Sequence, residues 1–546
     1  MTHSFDRRSF LAGGVALGTG AALLGSGSDW AGASATNGTG RNGVSTAKPR
    51  YGGSLVFGVD AEEGGFDPTS ARWDNVGFLY GRTVFDPIAI CTSTGVVQPF
   101  LAESITNNAD YTSFVITLRP GILFHDGTPL DAAALLLNLQ KQQASLLTGP
   151  AFTNIEKSVI SGPLSVTVNM KTPWAPFPYY LAEAQTGYVA APSMLNSSTG
   201  TTHPVGTGPF IFKEWIPNSH YTSTRNPHYW RKGLPYLDSI TFKPIIEPSA
   251  MVDALETGTI DICCTGTPAS ILQLRGNKKW AYYDNSGPLL GQPTVNCTML
   301  NTGAPPFNNK TLRTALAKAS NTKQYAKVID MNVNAPMNGL FTPGSPYYTK
   351  TSYPTYDPKG SAKLVKQVEQ QTGQPVSFTI ASTNDPTVIR SVEFFQQECS
   401  KVGMKANIQI VAQSDLINNA LAGKYQATAW SQFGAINPDE NYVWWSTTTI
   451  AKGLSLNMAQ NSDPRIQAAL ITGRTSSDPA TRLKAYQDIN EYLAQDIPYI
   501  WADRATWAAV ATPKVQNFVN AKTVKGTQAL SFDEGVLWPT QIWLEK

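Results

Sequence analysis

Residues 376–411 read VSFTIASTNDPTVIRSVEFFQQECSKVGMKANIQIV, and they contain the clearest strand–helix–strand pattern of the chain. Val376–Ile380 predicts a β-strand, Thr387–Val402 a helix with an apolar stripe, and Lys405–Val411 a second strand. Gly403 is the expected end of the helix. Two strands joined by a helix favour parallel pairing with a right-handed crossover, so this stretch indicates an α/β fold.

The same alternation of strands and helices extends toward the N-terminus. Ser54–Val59 and Tyr111–Leu118 predict strands, the second with apolar residues on one face. Ser249–Thr257 predicts a helix that ends at Gly258, and the strand Ile260–Ile262 follows it. We therefore expect an α/β protein with mixed sheets.

Size and composition restrict the class of protein. The chain has 546 residues, more than one hydrophobic core usually serves, so at least two domains are expected. Charged residues make up 15% and hydrophobic residues 42%, and the formal net charge is +3. This small positive charge, without a run of like charges, gives no support to nucleic-acid binding.

The N-terminus predicts export from the cytoplasm. Arg7 and Arg8 precede a Gly- and Ala-rich apolar stretch and two small-residue cleavage sites, so residues 1–35 are interpreted as a twin-arginine-type signal peptide. Residues 36–50 predict a flexible linker. No cysteine precedes Cys91, so we expect a periplasmic or secreted protein without a lipid anchor.

The sequence offers little support for catalysis, metals or cofactors. The fingerprint Gly38–Gly43 lies in the linker, without the strand and helix that a dinucleotide site requires. No P-loop, nucleophile elbow or helical zinc pair is present, so any ATPase must be a separate polypeptide. The acidic stretch Asp60–Asp67 lacks the calcium-loop pattern and is interpreted as a solvated loop. We expect neither a cofactor nor a metal site.

One histidine stands beside an aspartate and resembles an acid–base dyad. His125 and Asp126 are followed by Gly127, and Asp-Gly pairs favour turns, so a turn-stabilising role is the preferred interpretation. Thr128 is the expected cap of a helix with Pro129 at its first position.

A dense group of aromatic residues lies near the C-terminal third of the chain. Trp430, Phe433, Tyr442, Trp444 and Trp445 are interleaved with small and polar residues. Such a group either packs a core or forms the wall of a ligand cleft, where aromatic faces accompany a few polar groups. The residues alone leave both alternatives open.

Several short motifs, taken in order, resemble the family 5 extracellular solute-binding proteins, the peptide/nickel-binding class. The resemblance covers about residues 51–540. The motifs are Leu101–Ser104, Leu118–Gly121, Phe124–Pro129, Pro204–Phe210, Asn226–Trp230, Gly258–Asp261, Pro306–Asn309 and Leu312–Leu316.

The resemblance implies a bilobal periplasmic-binding-protein fold of the type II-like, large three-domain variant. Lobe one is expected to comprise residues 51–290, with an inserted domain at about 76–203, and to be completed by residues 506–546. Lobe two is expected to comprise residues 291–505. The ligand of such proteins is enclosed in a cleft between the lobes.

The implied function is capture of a peptide or peptide-like solute for the permease of an ABC transporter with a separate ATPase. We expect a monomer that is not an enzyme. Alternatives are a non-peptide solute such as a sugar, an opine or a metal chelate, and, from another class, an exported hydrolase, which would show turnover. The expected ligand-binding residues are Trp430, Ser431, Gln432, Phe433, Asn437 and Trp73.

Two charged groups that hold dipeptides in this family have no counterpart here. Peptide binders often carry an aspartate a few residues after the Trp, whereas this chain has no carboxylate between Trp430 and Asp439. Dipeptide binders also carry an arginine before the lobe-two helix, and Ala381–Asp385 contains none. Longer or blocked peptides, or a non-peptide solute, fit this pattern better than free dipeptides.

Overall fold

The computed structural model describes residues 47–182, 184–287 and 292–545. The predicted signal peptide, with Arg7 and Arg8, lies outside the described residues. The chain forms two compact units, and each is described by itself. The central unit comprises Gly291–Arg474 and Ala480–Ala505, and the terminal unit comprises the segments that end at Leu290 and begin at Thr506, together with Thr475–Pro479.

The terminal unit contains most of the short strands. Its strands before the central unit are β1 (Ser54–Val59), β2 (Ala89–Cys91), β3 (Val97–Pro99), β4 (Ala102–Asn107), β5 (Ser113–Leu118), β6 (Ile155–Gly162), β7 (Ser165–Met170), β8 (Phe210–Ile216), β9 (His220–Arg225), β10 (Ser239–Pro244), β11 (Ile262–Thr265) and β12 (Ala281–Asp284). Its helices are α1 (Asn75–Val84), α2 (Ala132–Ala144), α3 (Pro192–Leu195), α4 (Pro248–Glu256) and α5 (Pro268–Leu274).

The central unit combines one sheet with longer helices. Its strands are β13 (Val295–Leu300), β14 (Ala335–Pro336), β15 (Ser377–Ser382), β16 (Lys405–Ile410), β17 (Ala427–Gln432) and β18 (Tyr499–Arg504). Its helices are α6 (Lys310–Ala319), α7 (Thr322–Val328), α8 (Pro358–Thr372), α9 (Pro386–Lys401), α10 (Gln413–Leu421), α11 (Tyr442–Trp445), α12 (Pro464–Thr475) and α13 (Pro479–Asp496).

The chain then returns to the terminal unit. The returning strands are β19 (Ala508–Ala511), β20 (Val515–Gln516), β21 (Phe532–Asp533), β22 (Val536–Leu537) and β23 (Trp543–Leu544). Short 3-10 helices occupy Gly149–Phe152, Phe177–Leu181, Gln185–Gly187, Pro438–Asn441, Thr447–Thr449 and Pro539–Gln541. None of the helices in the described part of the chain is long and apolar enough to cross a membrane.

Both units are built on mixed sheets, which confirms the expected α/β class. The terminal sheet has the order β12-β19-β11-β1-β10-β9-β8, and a four-stranded antiparallel sheet, β4-β5-β7-β6, accompanies it. The central sheet has the order β14-β18-β13-β17-β15-β16. The return segment completes the terminal unit, because Ala529 and Trp538 share a buried cluster with Ile90 and Phe100.

The strand–helix–strand prediction for residues 376–411 is confirmed by β15, α9 and β16. The two strands are parallel, with Ser377 opposite Lys405. Asp385 caps the helix by accepting hydrogen bonds from the backbone N–H groups of Thr387 and Val388. Gly403 follows the helix with φ of 91°, a left-handed conformation that favours glycine.

The predicted helix start at Thr128 is wrong. Helix α2 begins at Ala132, and its cap is Asp131, whose side chain accepts a hydrogen bond from the N–H of Ala134 at 2.9 Å. The backbone N–H of Leu130 donates to the carbonyl oxygen of Ile122 instead, at 2.9 Å. This pairing keeps the residues before Asp131 extended.

Candidate functional site

One edge of the central sheet brings the predicted ligand segment together with the two places where the chain crosses between the units, just before β13 and just after β18. β15 runs parallel to β16 and β17, and β13 runs antiparallel to β17 and β18. The carboxyl ends of β15, β16, β17 and β18 therefore lie at the same edge as the amino end of β13. Ligands of open α/β sheets bind outside the carboxyl ends of strands, so this crossover edge is the candidate site of the unit.

The last residues of β17 present different side chains to the two faces of the sheet. Trp430 pairs across the ladder with Cys297, and the neighbouring Ser431 pairs with Asn296. Because side chains alternate along a strand, Trp430 and Gln432 share one face and Ser431 lies on the other. Ser431 is exposed and Trp430 half-buried, whereas Gln432 is buried.

The aromatic residues of the segment form one cluster on the Trp430 face. The Trp430 and Phe433 rings meet edge to face with centroids 6.3 Å apart, and the Phe433 and Trp444 rings are 4.8 Å apart. Phe433 is only 5% exposed. The structure therefore places Phe433 in the packed interior and Trp430 nearer the surface. The Phe433 ring supports the Trp430 ring from the inside.

Several side-chain donors of residues 430–445 are buried without an acceptor within the described residues. They include Nε1 of Trp430, Nε2 of Gln432 and Nε1 of Trp444. Most buried polar groups of native proteins are hydrogen-bonded, so unpaired ones need an explanation.

Asn437 acts within the chain as a helix cap. Its side-chain oxygen accepts a hydrogen bond from the N–H of Asp439 at 3.0 Å, and the Glu440 carboxylate accepts one from the N–H of Asn437 at 3.3 Å. This capping box begins the 3-10 helix Pro438–Asn441. The side-chain oxygen of Asn437 therefore stabilises the local conformation of the segment.

The first carboxylate after Trp430 is held in a buried ion pair. Nε of Arg474 donates to Oδ1 of Asp439 at 2.9 Å, and the Arg474 guanidinium lies 3.8 Å from the centre of the Tyr442 ring. The Asp439 side chain is fully buried. The negative charge of Asp439 is therefore neutralised by Arg474 of the same chain.

A polar row crosses the other face of the sheet at the crossover edge. The hydroxyl of Ser431 donates to Oδ1 of Asn296 at 2.7 Å, and Nδ2 of Asn296 donates to Oδ1 of Asp503 at 3.0 Å. Asn334 donates to the same Asp503 oxygen at 2.8 Å. Burial raises the pKa of Asp503, and burial together with the charge of Asp503 raises that of Asp330.

Of this row, sequence reasoning predicted only Ser431. Its members, Asn296, Asp330, Asn334, Ser431 and Asp503, come from four separate segments and form no local motif. The one available signal was an aspartate inside an apolar strand, since Asp503 follows the run Ile500-Trp501-Ala502.

Trp73, the predicted contact outside this segment, is a core residue of the terminal unit. It is 2% exposed and packs against Phe85 and Tyr188, with ring centroids 5.9 and 5.2 Å away. A Cβ on Gly81 would lie 2.6 Å from the Trp73 ring, so the helix fits the indole closely only because Gly81 has no side chain.

The interpretation of Asp60–Asp67 as a solvated loop is wrong for its two glutamates. Glu62 accepts hydrogen bonds from Nε1 of Trp215 at 2.8 Å and from the N–H of Asn218 at 3.0 Å. Glu63 is 4% exposed, and burial and the nearby charge of Asp74 raise its pKa well above the usual range. In the described residues, three or more His, Cys, Asp or Glu side chains nowhere form a group that could hold a metal ion.

His125 is engaged with the backbone. The ring Nε2 of His125 lies 2.9 Å from the carbonyl oxygen of Gly208, and the backbone N–H of His125 donates to the carbonyl oxygen of Gly206 at 2.8 Å. Burial lowers the pKa of the imidazole to about 4. A neutral ring that contacts a carbonyl stabilises the junction of two loops.

Comparison with known proteins places this chain in a family. Residues 96–453, more than half of the chain, match the model of the bacterial extracellular solute-binding proteins, family 5 Middle. The glutathione-binding protein GsiB of Salmonella paratyphi A is 27% identical over 426 residues, which are 74% of this chain and 80% of GsiB.

Solved structures show the same fold. DppA of Helicobacter pylori, a periplasmic binding protein in complex with the peptide STSA, matches with a TM-score of 0.78 and 22% identity, over 91% of this chain and 99% of DppA. The oligopeptide-binding protein AppA of Bacillus subtilis, in complex with a nonapeptide, matches with a TM-score of 0.76 and 19% identity, over 91% of this chain and 100% of AppA. The chain belongs to the family 5 extracellular solute-binding proteins of ABC importers.

Proposed function

We propose that this protein captures a peptide or peptide-like solute outside the cytoplasm and delivers it to the permease of an ABC importer. Membership of family 5 carries this proposal. Relatives and structural neighbours that bind glutathione, a tetrapeptide and a nonapeptide support the solute class. The permease and the ATPase are separate polypeptides, and the binding protein acts as a monomer.

The proposed solute wall of the central unit is the end of β17 and the segment after it. Trp430 and Ser431 touch the solute, because they reach the surface at the crossover edge. Gln432 supplies a polar contact from a buried position, Phe433 supports the Trp430 ring, and Asn437 fixes the course of the following turn.

The wall favours solutes that do not depend on a free ammonium group at this place. Arg474 already pairs with Asp439, and Asp385 caps helix α9, so neither carboxylate is available as an anchor. Longer or blocked peptides and peptide-like solutes such as glutathione therefore fit better than free dipeptides.

We propose that the protein carries out no chemistry on the solute. His125, which is followed directly by Asp126 in the sequence, is neutral near pH 7 because burial lowers its pKa to about 4, and it contacts the Gly208 carbonyl. His125→Ala should lower the melting temperature and leave solute affinity unchanged, since its contacts lie within the terminal unit.

The proposed location is the periplasm, reached through the twin-arginine route. Residues 51–290 and 506–546 form the proposed lobe one, with an inserted domain at about 76–203, and residues 291–505 form lobe two. The two compact units support this division, because their boundaries fall at Leu290 and Ala505.

Native mass spectrometry of the protein purified from its own host tests the function. We expect a retained peptide-like solute, and we expect peptides to raise the melting temperature without being cleaved. Retention of a sugar or a metal chelate, with no stabilisation by peptides, would overturn the proposed solute class. Release of shortened products would overturn the binding role.

A further inference from the structure

We propose that the central unit holds the carboxylate end of its peptide-like solute through neutral N–H donors: the indoles of Trp430 and Trp444 and the side-chain amide of Gln432. The inference rests on the proposed function, because it assigns one end of the solute to the wall defined above.

The first observation is the set of three unpaired donors. Nε1 of Trp430, Nε2 of Gln432 and Nε1 of Trp444 are buried and lack an acceptor within the described residues. Folded proteins pair roughly nine in ten buried polar groups, and leaving one unpaired is destabilising. Three in one cluster indicate that a bound molecule supplies the acceptors.

The second observation is that the three donors lie close to one another in the structure. Trp430 and Gln432 lie two residues apart on β17 and therefore share a face of the sheet. The Phe433 ring contacts both the Trp430 and the Trp444 ring. Trp430, Gln432 and Phe433 lie at the carboxyl end of β17, at the crossover edge, and Trp444 of α11 packs against Phe433.

The third observation concerns a buried acceptor in the same segment. Oδ1 of Asn441 is buried without a donor, while its amide nitrogen donates to Oε1 of Gln292 and to the Phe433 carbonyl oxygen, both at 3.2 Å. The last residue of a peptide offers a carboxylate that accepts several hydrogen bonds and an adjacent N–H that donates one. This pattern complements the three donors and the Asn441 oxygen.

Charge also favours a carboxylate over an ammonium group here. Hydrogen bonds to a charged acceptor are roughly twice as strong as neutral ones, which offsets part of the desolvation of the carboxylate. The unpaired atoms of these three side chains are all N–H donors, which repel an ammonium group. The carboxylate Asp439 follows in the chain, but Arg474 neutralises it.

A competition experiment separates the two ends of the solute. The purified protein is offered an equimolar library of Ala-X-Ala tripeptides as free acids, the same library as C-terminal amides, and a third as N-acetyl acids, and captured peptides are quantified by mass spectrometry. We expect free acids to exceed amides by at least about tenfold, the effect of roughly 1.4 kcal/mol. N-acetylation should change capture by less than about threefold.

Three variants test the assignment. Trp430→Phe keeps the aromatic ring and removes one donor, so it should reduce the preference for acids over amides. Gln432→Glu places a carboxylate at the wall and should reverse that preference. Trp280→Phe is the matched control, because Trp280 also has a buried, unpaired indole nitrogen but lies in the terminal unit beside the amino end of β12, and it should leave the preference unchanged.

The outcomes distinguish the inference from the function. Equal capture of acids and amides, or an unchanged preference in folded Trp430→Phe protein, would overturn the inference while the peptide-binding function stands. Capture of none of the three libraries would overturn the proposed peptide class and the inference together. Gln432→Glu is interpreted only if its circular dichroism matches the wild type, and Trp430→Phe decides the matter if it does not.

Discussion

Asp439 and Arg474 form a buried ion pair at the start of the segment that follows the proposed solute wall. Nε of Arg474 reaches both carboxylate oxygens of Asp439, at 2.9 and 3.2 Å, and its terminal Nη2 reaches Oδ2 at 3.0 Å. The carboxylate is fully buried. The pair joins the 3-10 helix Pro438–Asn441 to α12 and thereby fixes the position of the turn behind the wall.

Removing one partner of this pair should be costly. Asp439→Ala leaves the Arg474 guanidinium buried without its carboxylate, so we expect the free energy of unfolding to fall by about 3–5 kcal/mol. Chemical denaturation measures it. Lys484→Ala removes the exposed partner of Asp488 and is the matched control, which should leave the unfolding midpoint unchanged. A small effect of Asp439→Ala would show that the pair does not stabilise the turn.

Trp430 and Phe433 should respond differently to truncation, although they touch each other. Trp430 is half-buried at the proposed wall, so Trp430→Ala should weaken solute binding by about 1–3 kcal/mol and lower stability little. Phe433 is 5% exposed, so Phe433→Ala should cost about 3–5 kcal/mol of stability. Melting temperature and affinity per folded molecule are measured on both. A large loss of stability with unchanged affinity in Trp430→Ala would remove it from the wall.

Local patterns allowed much of the fold to be predicted. The stripe that ends at Cys399 and the breaker Gly403 located α9 within one residue at each end, because helix periodicity and a left-handed glycine are both local signals. The helix start predicted at Thr128 was wrong because a non-local contact decides the conformation there. A Thr-Pro pair is a plausible helix start, but the pairing of Leu130 with Ile122, which no local pattern encodes, keeps the chain extended until Asp131.

The candidate site was less predictable because its groups are assembled by the sheet. The aromatic character of Trp430 and Phe433 was visible in the sequence, but which of them packs inside depends on the Trp444 ring. Trp73 is also an aromatic residue that was expected to contact the ligand, but it lies in a core. Asp503 stood out in the sequence as an aspartate after an apolar run, but its partner Asn296 is identified only by the strand ladder.

The twin-arginine prediction concerns residues outside the described structure and is tested in cells. Replacing Arg7 and Arg8 by Lys should leave the precursor in the cytoplasm, because the paired guanidinium groups are the address of that route. Cell fractionation with an antibody to the mature protein measures it. Lys48→Arg, in the predicted linker, is the matched control and should be exported normally. Normal export of the double variant would exclude the twin-arginine route and leave a general signal peptide.

The acidic pair Asp330 and Asp503 should make folding depend on pH. Burial raises the pKa of both groups, and the charge of Asp503 further raises that of Asp330. A carboxyl group whose pKa is raised on folding contributes full stability below its unfolded pKa near 4, and that contribution is lost as pH rises toward the folded pKa in the neutral range. Wild-type stability should therefore decline, from these groups, between about pH 5 and pH 8.

Asp503→Asn should reduce this decline, because it removes the Asp503 contribution and the effect of its charge on Asp330. The carbonyl oxygen of the new amide can still accept the hydrogen bonds from Asn296 and Asn334, so the polar row remains intact at low pH. At about pH 8 the variant should be more stable than the wild type by at least about 1.4 kcal/mol, the equivalent of one pKa unit, and the difference should shrink at about pH 5. Urea denaturation at both pH values measures it. A constant difference across that range would show that the two carboxyl groups ionise as freely in the folded protein as in the unfolded chain.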